Sequence, residues 1–147
     1  MIQAHDSLIV LTLGRILIPL TQLFGLYVLF SGQRGPGGGF VGGVILAASM
    51  ILSLLIFGSG ASRSRLARRV LHGDGLGLLI FAGVGGLCLI GGGEFLNYSN
   101  LEIPSLDVAS RRYVGIVLTQ IGVAVDVAVT GISIVFSLSS NNEDSHG

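Results

Sequence analysis

Gly35-Pro36-Gly37-Gly38-Gly39-Phe40-Val41-Gly42-Gly43 is the stretch on which the reading of this chain turns. Seven of its nine residues are Gly or Pro, as in a soluble linker, yet Val44-Ile45-Leu46-Ala47-Ala48 follow with no polar break and the apolar run reaches Phe57. That continuity makes it an entry into a membrane segment. Pro36 ends the preceding extended stretch, and the glycines permit backbone conformations closed to other residues, so the chain can turn sharply back into a bilayer. Gly39 and Gly43, four residues apart, form a G-x-x-x-G face on which another helix can pack closely. Pro36, Gly37, Gly38, Gly39, Phe40, Gly42 and Gly43 are therefore read as one structural motif.

Composition agrees. The chain has 147 residues, 50% of them hydrophobic and only 11% charged, with a mean hydropathy of +0.82. That is too apolar for a water-soluble domain of this size. Formal net charge is zero and every basic residue apart from His is Arg, which leaves no extended basic surface for nucleic acid. Cys88 is the single cysteine, so an internal disulfide and a multi-cysteine metal site are both excluded, and it reads as a small apolar core residue. The formal G-x-G-x-x-G match at Gly37 to Gly42 has no strand before it, and it lacks the Lys-Ser/Thr pair of a phosphate loop. No metal-ligand set, catalytic triad or cofactor motif is expected. The first apolar run is long and has no basic flank or small-residue cleavage site, so it is expected to be a retained helix.

Four segments reach the ~20 apolar residues that cross a hydrocarbon core of ~30 Å, at 8–30, 39–57, 76–96 and 114–138. Long runs without period-2 alternation favour helices over barrel strands. The expectation is an all-α membrane protein, one domain over 1–147, with four transmembrane helices and a polar tail at 139–147. Arg63, Arg65, Arg68 and Arg69 lie between the second and third segments, against Arg34, Arg111 and Arg112 on the other side. The positive-inside rule then places both termini in the cytoplasm. Arg65, Arg68, Arg69 and His72 share a helical face opposite Leu66, Ala67 and Val70, which reads either as a short amphipathic helix on anionic lipid or as a basic turn that fixes topology. The third segment carries Gly83, Gly85, Gly86 and Gly91-Gly92-Gly93, a composition that suits close helix packing among partners. Asp107 is placed to cap a helix or to pair with Arg111.

Charge within such segments costs roughly 2.5–3.5 kcal/mol at mid-depth, so it is normally paired or wetted. Arg15, Glu94 and Asp126 qualify. Counted from the segment ends, Asp126 falls near the midplane and Arg15 within axial reach of it. Two readings stand: a carboxylate that takes up a proton or a sodium ion with Arg15 setting its charge state, or a static ion pair, within the chain or to a neighbour, that locks packing. Glu94 near the end of its helix can snorkel. Gln22 and Gln120, at similar depth, add a polar layer with it.

Arg15 with Pro19, Leu26-Tyr27, Gly32 and, above all, Pro36-Gly37-Gly38-Gly39-Phe40-Val41-Gly42-Gly43 resemble the B subunit of Mrp-type multisubunit monovalent cation/proton antiporters, the MnhB family. The resemblance covers nearly the whole chain. It implies a small subunit, in the cell membrane of a bacterium or archaeon, of a complex that exports Na+ or another monovalent cation for H+, with large proton-channel subunits supplied by other chains. Related subunits of membrane-bound hydrogenases and complex I-like assemblies are the alternative, as is a purely structural scaffold. Members usually carry a His-Asn pair where this chain has Gln33-Arg34, and often an acid near Gln120. Roles tied to those groups do not carry over, which leaves Asp126 as the titratable residue of interest.

Overall fold

A computed structural model describes residues 8–57, 75–101 and 107–141. Among them the regular elements are α1 (Leu8–Ser31), α2 (Gly39–Phe57), α3 (Leu76–Ile90), a single 3-10 turn at Tyr98–Asn100, and α4 (Val108–Asn141). The expected all-α architecture is found. α1, α2 and the Val108–Leu138 part of α4 are long and apolar enough to cross a membrane, and α3 is a shorter apolar helix. The basic residues Arg63, Arg65, Arg68 and Arg69 lie outside the described residues, as does the tail from 142.

Three helix boundaries differ by more than one residue from the sequence expectation, the first two for a local reason. α3 stops at Ile90 instead of running to Leu96, because Gly92 takes φ 76°. The N–H of Gly93 then reaches back to Cys88 C=O (3.2 Å) and that of Gly92 to Leu89 C=O (3.0 Å), the paired bonds that close a helix through a left-handed glycine. α4 begins at Val108, well before 114, because Asp107 caps it. Asp107 Oδ1 accepts from Ser110 N–H at 3.3 Å, and its carbonyl accepts from Arg111 N–H at 3.0 Å. These bonds from Ser110 hold the Asp107 carboxyl below its ordinary range. At its far end α4 includes Ser139 to Asn141, which the sequence assigned to the polar tail.

The helices pack in the order α1, α2, α4, α3. α1 and α2 are antiparallel: Gly14 lies on Ile56 and Phe57, Gly25 on Ile45 and Leu46, and Gly42 on Leu29 and the Gly25 carbonyl. α2 and α4 run parallel, with Gly39 against Gln120, Gly43 against Ala124 and Val127, and Gly131 against Ala47. α3 returns antiparallel to α4, Gly77 lying on Gly122 and Asp126. A small core of Val84, Cys88 and Leu101 under Tyr98 closes the α3 end, with Cys88 fully buried as its apolar setting suggests.

Candidate functional site

The glycine-rich turn is built by hydrogen bonds back onto α1. The N–H groups of Arg34 and Gly35 both donate to Ser31 C=O (3.0 and 3.1 Å), and Gly38 N–H donates to Val28 C=O at 3.1 Å. Gly38 C=O then accepts from Gly42 N–H at 2.9 Å, starting α2. Gly37 and Gly38 have φ 154° and 115°, which side chains rarely tolerate. A Cβ on Gly32 would strike the Gly38 backbone and the Gln120 carboxamide. A Cβ on Gly39 would overlap the Gln120 backbone, and one on Gly43 that of Ala124. Gly39 and Gly43 thus present the expected close-packing face, and α4 is its partner. Gly42 points to α1 instead. Phe40 is 64% exposed and takes no part in this contact.

α4 carries the polar groups nearest this seam. Gln120 is half-buried, with its carboxamide beside Gly32 and Gly38 at the turn. Asp126 lies six residues further (126 − 120), about 9 Å along the helix, on the face toward α3. There its Cβ and backbone N sit against Gly77 in the first turn of α3. The start of α3 has Gly75 at its cap position, φ 85°, with no side-chain cap. Asp126 is half-buried and makes no hydrogen bond or ion pair among the described residues.

The structure separates other residues that the sequence grouped. Gly14, next to Arg15, meets Ile56 at the foot of α2, whereas Val127, next to Asp126, meets Gly43. Those contacts are thirteen residues apart on α2 (56 − 43), about 20 Å, so Arg15 and Asp126 do not pair within the chain. Gln120 is level with Gly39, while Gln22 precedes Gly32 by ten residues (32 − 22), about 15 Å, so the two do not share a layer. Since α2 starts level with Gln120, Asp126 lies ~9 Å beyond that start along α4. Glu94 is exposed in the turn after α3, not inside a helix.

Sequence reasoning passed over Tyr98 and Thr119. Tyr98 packs on Gly115, and its hydroxyl donates to Thr119 Oγ1 at 3.1 Å. Thr119 in turn donates to Gly115 C=O at 2.8 Å. The signal available was a small residue and a Thr one turn apart on a helix otherwise rich in Val and Ile. Arg112 Nε donates to Ser99 Oγ at 2.9 Å, tying the same 3-10 turn to α4. No group of three His, Cys, Asp or Glu able to hold a metal occurs among the described residues.

Glycine-mediated contact of apolar helices, with titratable and amide groups at the seams, defines a helical membrane protein. Residues 9–133 match the family model described as the domain related to the MnhB subunit of Na+/H+ antiporter, and the chain belongs to that family. It is 30% identical to the B subunit of the Na(+)/H(+) antiporter of Bacillus subtilis over 135 residues, 87% of this chain and 94% of that protein. To the corresponding antiporter protein of Alkalihalophilus pseudofirmus it is 32% identical over 127 residues, 81% of this chain and 88% of that one. A putative antiporter subunit mnhB2 of Staphylococcus epidermidis is 28% identical over 133 residues, covering 86% and 94%.

Proposed function

We propose that this chain is the B subunit of a multisubunit Na+/H+ antiporter, a transporter component with no enzymatic role. The observation that carries this reading is the family match over residues 9–133, reinforced by antiporter B subunits similar to the chain over most of both lengths. In this reading the protein is a multi-pass component of a bacterial or archaeal cell membrane, its termini in the cytoplasm. It works with other subunits, including large proton-channel subunits, and with the surrounding lipid; Na+ and H+ are the transported ions. The antiporter names of the relatives favour this over a place in a hydrogenase or complex I-like assembly.

Within the complex the chain's first task is assembly, through the turn from Pro36 to Gly43 and its seat on α4. Its second is at Asp126. A half-buried carboxylate facing the uncapped start of α3, with no cation paired to it in the described chain, is free to exchange a proton or a sodium ion as a neighbour's path reaches it. Gln120 lies nearer the start of α2 on the same helix and can hydrate such a path. Arg15, Glu94 and Gln22 lie away from it, so their contacts are with lipid, water or neighbours.

The test is to purify the tagged complex with Asp126→Asn, establish that the same subunits are present, and measure Na+/H+ exchange in vesicles. We expect exchange to fall about tenfold or more, a decade for each ~1.4 kcal/mol added to the barrier. Exchange at the unmodified rate in an intact complex would reduce the chain to a scaffold.

A further inference from the structure

The outward side of α1 is mostly Leu, Phe and Ile, as lipid or any apolar neighbour would accept, but one flank is not. α1 turns Gly14, Ile18, Gly25, Val28 and Leu29 toward α2. About a quarter-turn round from that seam, at spacings of four and three, stand Arg15, Pro19 and Gln22. Arg15 and Pro19 are exposed and Gln22 is half-exposed. Neither Arg15 nor Gln22 has a hydrogen bond or ion pair among the described residues. By contrast, Thr12 and Thr21 on the same helix satisfy their hydroxyls internally, donating to Leu8 C=O at 2.7 Å and Leu17 C=O at 2.8 Å.

Pro19 also removes one bond from the helix ladder. Lacking an N–H, it cannot donate to the carbonyl four residues earlier, which is that of Arg15. One turn of helix therefore presents a guanidinium that needs an acceptor, a backbone carbonyl without its ladder N–H, and, two turns from Arg15, a carboxamide that needs both. In hydrocarbon each unmet backbone group costs several kcal/mol.

We propose that this flank is the docking face for a membrane-embedded helix of another antiporter subunit, one that bears an Asp or Glu level with Arg15 and a hydroxyl or amide donor beside it. The proposal rests on the subunit reading and on α1 crossing the membrane. The chemistry selects a protein over a lipid headgroup. Arg15 is seven residues from the start of α1 (15 − 8), about 10 Å, so its long arm can snorkel to a phosphate. Its carbonyl, fixed in the backbone, cannot. A phosphate diester offers only acceptors, and Gln22, a further seven residues in, is too short to reach the interface. A helix with an acidic and a hydroxyl or amide side chain suits all three groups at once, and a charge-assisted Arg–carboxylate bond out of water supplies both strength and register.

The experiment tags this chain in the native complex and counts the subunits that copurify in mild detergent, for wild type, Arg15→Gln and Leu20→Ala. Leu20 is 55% exposed on a different side of α1 and serves as the control. We expect Arg15→Gln to lower the recovered partner about tenfold relative to this chain, and Leu20→Ala to leave it unchanged. As a reading that does not depend on the variant assembling, a photo-crosslinking residue at position 22 should give an adduct with one other subunit, and the same residue at position 20 should not. Wild-type recovery with Arg15→Gln and no protein adduct at 22 would assign the flank to lipid and overturn the proposal. An adduct with a second copy of this chain would overturn it as well. If wild type itself copurifies with no antiporter subunit, it is the subunit reading that fails.

Discussion

α2 and α3 are both glycine-rich, and they use their glycines in opposite ways. In α2, Gly39 and Gly43 lie on the α4 backbone and Gly42 on the α1 backbone, so all three are consumed inside the chain. In α3, Gly77 meets α4 and Gly85 lies under the Phe95 ring, but Gly83 and Gly86 have open space where a Cβ would stand. The same residue type thus acts as a required contact in one helix and as an unfilled position in the other. What decides between them is the backbone across the seam.

That contrast can be broken most forcefully at Gly39. Gly39→Ala places a Cβ in the Gln120 backbone, which cannot swing aside as a side chain would, and should cost about 1–3 kcal/mol by overpacking. Thermal unfolding of the purified chain in detergent would register it as a lower midpoint, and an unchanged midpoint would mean that α2 and α4 are not in this register. A smaller effect is expected at the α3–α4 end. Tyr98→Phe removes the hydroxyl that bonds Thr119 and should cost about 1 kcal/mol by the same measurement, with Thr119 keeping its bond to Gly115. The smallest change belongs to Gly83→Ala. With nothing near its Cβ, it should raise stability of the isolated chain by up to about 1 kcal/mol through helix propensity. A marked loss there would show that α3 packs more tightly than its contacts within the chain indicate.

Much of this fold was legible in the sequence because its signals are local. Apolar runs set the helix interiors, Gly39 with Gly43 marked a packing face, and Asp107 marked a cap. Boundaries were less legible where composition and conformation diverge: Gly91-Gly92-Gly93 is apolar enough to extend a span on paper, yet Gly92 in a left-handed conformation ends α3. Depth was the least legible property. Counting in from segment ends assumes that all helices begin at one level, whereas the contact of Gly39 with Gln120 sets α2 to start twelve residues into α4 (120 − 108). That offset moved Asp126 away from Arg15 and Gln22 away from Gln120. Asp126 itself was visible as a lone carboxylate in an apolar run, but its neighbour Gly77 was not, since nothing in the spacing of two distant segments fixes their register.

α4 has 34 residues, about 50 Å of helix beside a hydrocarbon core of about 30 Å. α2 covers its lower part and α3 its upper part, while only 17–22% of each membrane-spanning window is buried. Among the described residues, α2 and α3 pack on this spar and α1 on α2, an open row that makes a wall and not a vessel. A wall can border a passage but cannot by itself enclose one.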